Sequence, residues 1–223
     1  MRAVKGYTMS MSLIKELRER TGAGILDCKK ALAANDNDVD QAIDFLRAKG
    51  IAKAAKKSGR AATEGLVHAY IHAGGKIGVL LEVNCETDFV AKTDDFKTLV
   101  HDVCMHIAAA GPEYLTANDV PAEAVAKEKE VQLARVMEEG KPAHIAERIV
   151  EGRMGKFYEE ICLTDQKFVK DDSKTIGQML SETVARIGEN VKIRRFHRFV
   201  LGEGLEKKST DLAAEVAAAV AGN

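Results

Sequence analysis

The segment "GLVHAYIHAGGKIGVLLEV", residues 65–83, decides the fold because it contains two β-type patterns separated by a glycine pair. Val67, Ala69 and Ile71 occupy every second position, which is the period of a half-buried strand. The glycines at 74 and 75 permit a tight turn. The second half is apolar at consecutive positions, which is typical of a strand covered on both faces. We predict a β-hairpin whose second strand is central in a sheet.

The stretch that follows, "NCETDFVAKTDDF" at residues 84–96, combines acidic residues with two phenylalanines. Thr93 can cap a helix whose apolar face begins at Phe96 and ends before Gly111, so Phe96 is predicted to be core. Phe89 lies between the strand and this helix, where neither period includes it. A lone aromatic in a turn usually folds back into its own core, and the alternative is that a partner receives it.

Farther along the chain, prolines and glycines delimit two more helices. Pro121 starts a helix that runs to Gly140, and Pro142 starts a second through about Glu160. We predict a helical hairpin at 121–160 that projects from the body, because its first arm is poor in apolar residues.

After this hairpin, "KTIGQMLSETVARIGEN" predicts a core helix that ends at Gly188. The segment "VKIRRFHRFVL", residues 191–201, then predicts a strand that returns to the sheet. Thr210 can cap a last amphipathic helix in the C-terminal module, residues 206–223.

On the N-terminal side of the hairpin, apolar spacing predicts a module of three short helices at 11–51. Their predicted apolar positions are Leu13, Ile14 and Leu17, then Ile25, Cys28, Ala31 and Leu32, then Val39, Ala42, Ile43 and Leu46, with the third helix ending at Gly50. A leader at 1–10 precedes the module, and a basic helical linker at 52–62 follows it. The remainder, 63–205, is predicted to be an α+β core.

Composition narrows the class of protein. The 33 basic and 34 acidic residues nearly cancel, so no global bias toward polyanions exists. The four cysteines are scattered without a CxxC pair, which favours free thiols in a cytoplasmic protein over a disulfide scaffold. No apolar run reaches the roughly 18 residues of a membrane span.

Two enzyme-like arrangements deserve a test. Cys85, Glu86, Asp88 and His72 could be drawn as a nucleophile with its base, but a thiol that ends an apolar strand is usually an inert small hydrophobe. His68 and His72 share a strand face without a further residue at metal-ligand spacing. We therefore expect no catalytic residue, no metal site and no cofactor.

A rival binding function comes from the strand at 192–199, where basic and aromatic residues alternate. Such a strand is a possible RNA-stacking platform, and the alternative function is a cytosolic RNA-binding module. Solvated basic residues opposite a buried aromatic face explain the pattern about as well. The residues concerned are Lys192, Arg194, Arg195, Phe196, Arg198 and Phe199.

Several segments resemble the bacterial translation elongation factor Ts family. "RERTGAGILDCKKAL" at 18–32 and "EVNCETDFVAK" at 82–92 look like its two signature segments, and "GKPAHIAERIVEGRMGKFYEE", "IGENVKIRRF" and "GEGLEKKSTDLAAEVAAAV" follow in family order. The resemblance covers roughly residues 11–221. It implies an N-terminal module of ubiquitin-associated type, an α+β core, a projecting helical hairpin and a C-terminal helix.

The resemblance also implies a function. Such a protein exchanges guanine nucleotide on elongation factor Tu and breaks no covalent bond, so it acts by differential binding. Phe89 would wedge beside the Mg²⁺ site of the GTPase, and Asp88 would help rearrange that site's polar contacts. Thr87 would shape the turn and Val90 would anchor it.

A second contact set is implied for the partner's nucleotide domain: Arg18, Ile25 and Leu26, with Lys29 nearby. Many relatives have methionines at the positions of Ile25 and Leu26, so here the apolar contact is kept without the adaptability of Met.

Weaker candidate contacts implied by the resemblance are His72, Ile187 and Gly188. Some short members carry a cysteine at the position of His197, so covalent pairing through that position is excluded in this chain.

The pattern "HAGGKIGVLLEV" occurs once, whereas longer family members carry two related core halves. We therefore predict a symmetric non-covalent homodimer that pairs through a sheet edge such as the strand at 191–201. The competing prediction is that the C-terminal helix covers this edge and keeps the chain monomeric.

Overall fold

The computed structural model of this protein describes residues 11–205, and the predicted leader and C-terminal helix lie outside these residues. The described part contains eight α-helices and five strands with α+β organisation. In chain order they are α1 (Met11–Thr21), α2 (Ile25–Ala34), α3 (Val39–Lys57), β1 (Glu64–Ile71), β2 (Ile77–Cys85), α4 (Asp88–Ala91), α5 (Asp94–Ala110), α6 (Ala122–Glu138), α7 (Ala143–Ile161), β3 (Lys167–Phe168), β4 (Asp171–Thr175), α8 (Ile176–Ile187) and β5 (Val191–Val200).

The main sheet has the order β1-β2-β5 with antiparallel pairing throughout, so the predicted hairpin and its central strand are confirmed. One face of β2 is buried, whereas Leu80 on the opposite face is exposed. The expectation that both faces are covered is therefore wrong for the described residues. A partner strand on each edge makes β2 central.

Helix α5 covers the buried face of the sheet. Thr93 caps it by accepting a hydrogen bond from the Phe96 N–H, and it ends at Gly111 in the left-handed region, with φ of 61°. Phe96 is fully buried, as predicted, together with most of its helix face. Helix α8 closes the same core, and Gly188 ends it with φ of 89°.

Helices α1, α2 and α3 share a separate small core, which confirms the three predicted helices. Two details differ from the prediction. Ile25 is 52% exposed and lies outside this core. Helix α3 continues past Gly50 to Lys57, and Gly50 is buried against α8, where an added Cβ would lie 3.4 Å from the Ala185 Cβ. Gly50 therefore lies at a helix–helix contact inside a continuous helix.

The predicted helical hairpin is confirmed as α6 and α7, which share their own apolar cluster. Only Val136 of α6 is buried, in agreement with the apolar-poor first arm. The small β3-β4 hairpin escaped prediction because its strands are short and mostly polar. Across residues 11–205, no helix combines the length and apolar content that a membrane crossing requires.

Candidate functional site

The segment at residues 87–90, here called the Phe89 turn, is separated from the end of β2 by one residue, Glu86. Thr87 caps α4, since its hydroxyl accepts a hydrogen bond from the Val90 N–H at 3.5 Å. The Cys85 thiol donates to the Thr87 carbonyl at 3.1 Å. Phe89 is 78% exposed. The sequence left open whether Phe89 folds back into the core or faces outward, and in the structure it faces outward.

An ion pair lies beside the exposed ring of Phe89. Lys92 Nζ lies 2.6 Å from Asp88 Oδ2 and 5.9 Å from the centroid of the Phe89 ring. The hydrogen bond from Lys92 lowers the pKa of the Asp88 carboxyl below its usual value, so this group is a carboxylate at neutral pH. The turn thus presents an apolar ring beside a charged pair.

The inner side of the turn is attached to the core. Ala91 is buried and Val90 is half-buried against the main apolar cluster. The inner side of this single helical turn therefore contacts the core through Val90 and Ala91, while Phe89 projects from the outer side.

A second turn, residues 187–190 between α8 and β5, lies against the Phe89 turn. Thr87 donates its backbone N–H to Glu189 Oε2 at 3.0 Å and its hydroxyl to Glu189 Oε1 at 2.7 Å. This contact brings Ile187 and Gly188, two predicted site positions, next to the Phe89 turn. Sequence reasoning missed Glu189, for which the polar pair after Gly188 was the only local signal.

The second predicted contact set is also on the surface. Leu26 is 73% exposed at the start of α2, and Arg18, Ile25 and Lys29 are exposed as well. Asp27, between these positions, pairs instead with Lys49 and Lys53 of α3, and these lysines lower the pKa of its carboxyl. Two exposed aliphatic side chains therefore stand at a helix start.

His72 lies apart from the Phe89 turn. It follows β1 at the hairpin end, whereas Cys85, just before the turn, pairs with Glu64 at the other end of the same strand. Eight residues at the rise of a strand separate the two ends by about 25 Å. Tyr70 Oη lies 3.0 Å from His72 Nδ1.

The geometry also bears on the enzyme-like arrangement. Burial raises the pKa of the Cys85 thiol to about 11, so this group is protonated at neutral pH and is a poor nucleophile. His72 lies too far away to deprotonate it. As for metals, no three His, Cys, Asp or Glu side chains within residues 11–205 come together in a group that could hold an ion.

The basic strand β5 uses most of its cations within the fold. Arg194 and Arg195 each lie 2.7 Å from the Glu82 carboxylate and lower the pKa of that group. The Arg198 guanidinium donates to the Ala108 carbonyl near the end of α5 at 3.3 Å. These pairings explain the arginines structurally, so the RNA-binding alternative is not favoured.

Comparison with known proteins gives a consistent result. Residues 31–203 match the family model described as elongation factor TS. The chain is 60% identical to elongation factor Ts of Geobacter sulfurreducens over 212 residues, which cover 95% of this chain and 98% of that protein. It is 58% identical to elongation factor Ts of Carboxydothermus hydrogenoformans with the same coverage. For elongation factor Ts of Syntrophomonas wolfei the identity is 56% over 93% of this chain and 97% of that protein.

Proposed function

The chain belongs to the elongation factor Ts family, and we propose that it releases GDP from elongation factor Tu by inserting Phe89 beside the Mg²⁺ and phosphate site of that GTPase. It is a guanine-nucleotide exchange factor in translation elongation. The observation that carries the proposed mechanism is a large aromatic, 78% exposed, on a turn that is attached to the core.

The mechanism rests on differential binding. A protein that prefers the nucleotide-free GTPase weakens GDP by the same factor by which GDP weakens it. Phe89 acts as an apolar wedge, and Asp88 alters the polar contacts around the metal. Once Mg²⁺ is displaced, the charge of the β-phosphate is uncompensated and GDP leaves faster. No covalent bond changes, so the protein is an exchange factor and not an enzyme.

Thr87 shapes the turn through its cap to Val90, and Val90 anchors it on the core. Ile187 and Gly188 form a neighbouring part of the same contact surface. The distance of His72 from the turn means that it would meet a different part of the partner.

A second contact comes from the N-terminal module, which we propose to be of the ubiquitin-associated type. Arg18, Ile25, Leu26 and Lys29 bind the nucleotide domain of elongation factor Tu. Support comes from two neighbouring large aliphatic side chains that are exposed at the start of α2 and give a partner a small apolar surface to cover.

We further propose that the protein acts in the cytoplasm, where translation elongation takes place, and makes no direct contact with nucleic acid. Its working units are the module at 11–51, a link at 52–62 that continues α3, the core at 63–205 and the C-terminal segment at 206–223.

For assembly we propose a symmetric homodimer. Among the described strands β5 pairs only with β2, so its outer edge is available for pairing. Phe199 and Leu201 near this edge are exposed. The dimer places two copies of the single hairpin core in one particle.

One experiment tests the proposed function directly. Elongation factor Tu carrying fluorescent GDP is mixed with the protein and excess unlabelled nucleotide, and the loss of fluorescence is followed by stopped flow. We expect release to accelerate with protein concentration until it saturates. Release at the spontaneous rate at every concentration would overturn the proposal.

A further inference from the structure

The two turns that meet beside Phe89 are joined by carboxylates that bind backbone N–H groups. We propose that Glu189 is a positioning residue for nucleotide exchange, which fixes Thr87 and thereby the pose of Phe89. This inference rests on the proposed function, because it assigns to Glu189 the task of holding the wedge.

Glu189 accepts both of the hydrogen bonds that Thr87 can donate. The backbone N–H lies 3.0 Å from Oε2 and the hydroxyl 2.7 Å from Oε1. Hydrogen bonds to an ionised acceptor are roughly twice as strong as neutral ones. Because the hydroxyl proton points to Glu189, an oxygen lone pair is free to accept the Val90 N–H that caps α4. One carboxylate thus orients the cap of the helix that bears Phe89.

A second carboxylate makes the reverse connection. Glu86, just before the Phe89 turn, accepts the backbone N–H of Asn190 at 2.6 Å and lies 3.5 Å from the Arg60 guanidinium. Glu189 thus binds a backbone N–H of the Phe89 turn, and Glu86, which directly precedes that turn, binds a backbone N–H of the turn at 187–190. Such a reciprocal pair restrains both translation and rotation of one turn relative to the other.

The turn at 187–190 is itself hydrogen-bonded to the end of α3 and to the residues that follow this helix. Asn190 is 2% exposed, and its amide donates to the Arg60 carbonyl at 2.7 Å and to the Ser58 carbonyl at 3.4 Å. The Lys57 ammonium donates to the Gly188 carbonyl. The turn that bears Glu189 is therefore hydrogen-bonded to the end of α3 and the residues after it. Because this turn is fixed, the Glu189 carboxylate can hold Thr87 in one position.

The Phe89 turn needs this support because its own helix is short. A single turn of four residues has little stability of its own. Ala91 is its only buried residue, and the Phe89 ring makes no contribution to the core. Loss of the Glu189 contact would therefore leave the sheet and α5 intact while Phe89 samples many poses. A wedge that is not preorganised pays the ordering cost when it binds.

The test compares Glu189→Ala with a matched control, Asp119→Ala. Asp119 also accepts both the backbone N–H and the hydroxyl of a threonine, Thr116, at 2.9 and 2.6 Å, but it does so in the capping box of a 3-10 turn between α5 and α6. Both variants lose the same two kinds of hydrogen bond. We expect E189A to lower the saturating GDP release rate by about fivefold or more, and D119A to leave this rate unchanged with a similar shift in melting temperature.

The conservative variant Glu189→Gln separates position from charge. Its amide oxygen can still accept the Thr87 N–H, and its NH₂ group can donate to the hydroxyl, so we expect most of the release rate to be restored. If E189A does not fold, Glu189→Asp replaces it, because a side chain shorter by one methylene keeps the charge and loses the reach. Release at the wild-type rate by E189A, or by E189D in its place, would overturn the positioning role.

A double-mutant cycle with Phe89→Ala completes the design. If Glu189 acts through Phe89, adding E189A to F89A slows release little further, whereas independent effects multiply and contradict the proposal. Unchanged release by F89A alone overturns the wedge and the positioning role with it. Slow release by F89A together with normal release by E189A overturns only the role of Glu189.

Discussion

At the scale of single residues, Phe89 and Phe96 lie seven positions apart and have opposite environments. Phe96 is fully buried at the start of α5, and Phe89 is 78% exposed on α4. The free energy of a side chain depends on what surrounds it in the folded state. The two phenylalanines therefore make a matched pair that separates stability from function.

We expect Phe89→Ala to leave the melting temperature nearly unchanged and to slow GDP release severalfold, because an exposed ring contributes little to the folded state. Phe96→Ala, the control, should cost about 3–5 kcal/mol of unfolding free energy. Thermal melting and stopped-flow release measure the two effects. A loss of stability by F89A as large as that of F96A would return Phe89 to the core and remove the wedge.

His106 is a second residue with a defined expectation. It is fully buried, its Nδ1 accepts the Val169 N–H at 3.3 Å, and its Nε2–H donates to Gln166 Oε1 at 3.0 Å. Burial lowers its pKa below the ordinary value for histidine. As the pH falls below about 6.5, the His106 imidazole becomes protonated in the unfolded chain but stays neutral in the folded chain. Stability is therefore full above this pH and decreases as the pH falls toward the lowered folded-state value.

The measurement is urea unfolding from about pH 7 to pH 5, with His106→Gln as the variant that cannot titrate at this site. The wild type should lose up to about 1.4 kcal/mol per pH unit more than the variant. Parallel pH profiles for the two proteins would show that His106 does not contribute.

At the scale of secondary-structure elements, the start of α2 exposes two neighbouring aliphatic side chains. Ile25 and Leu26 begin the helix, while Cys28 behind them is buried in the module core. The buried face of α2, which includes Cys28, thus stabilises the helix, and the exposed face with Ile25 and Leu26 contributes little. This separation allows the outer face to be changed without unfolding the module.

We expect Ile25→Ala and Leu26→Ala to weaken binding to nucleotide-free elongation factor Tu severalfold with little change in melting temperature. Met137→Ala is the control, because Met137 on α6 is exposed to the same extent as Ile25, 52%, and is outside the proposed contacts. Calorimetric titration gives the affinities. Equal affinity for all three variants and the wild type would exclude α2 from the interface.

At the scale of the whole molecule, the N-terminal module and the α+β core have separate apolar clusters that meet through α3 and α8. The buried members of the main cluster begin at Val79, after the module. This distribution supports the prediction that the core can fold alone. The residues directly after α3 nevertheless contribute hydrogen bonds to the core.

We expect residues 63–223 to fold but to bind elongation factor Tu more weakly and exchange more slowly than the full chain. A fragment that begins at residue 58 is the matched comparison, since it retains the Ser58 and Arg60 carbonyls that Asn190 binds. It should melt at a higher temperature than the shorter fragment, with similarly weak binding. Full-strength binding by both fragments would show that the module makes no contact.

The proposed dimer is tested by light scattering at several concentrations, with and without residues 206–223. We expect twice the monomer mass of about 24 kDa for the full chain at high concentration, because the outer edge of β5 can pair with a second copy. A dimer only after truncation would identify the C-terminal segment as the cover of this edge. Monomer mass for both proteins at all concentrations would exclude pairing.

Short-range patterns determined much of this protein. The alternation at 65–83 specified the hairpin, Thr93 and Gly111 marked the ends of α5, and the two prolines marked the starts of the hairpin helices. The absence of any period that included Phe89 marked this residue as an exception to the core pattern, and the structure then showed its ring to be exposed. Each of these features depends on residues close together in the chain, so a pattern in the sequence contains the information.

Tertiary structure alone decided the features that depend on distant residues. Gly50 has the sequence pattern of a helix end, but in the structure α3 continues through it and α8 packs on it. Ile25 matches the apolar stripe of α2 but is 52% exposed. The contact between Thr87 and Glu189 joins positions 102 residues apart. Neither local propensity nor spacing encodes such a meeting, because it exists only after two separately formed turns pack against the same sheet.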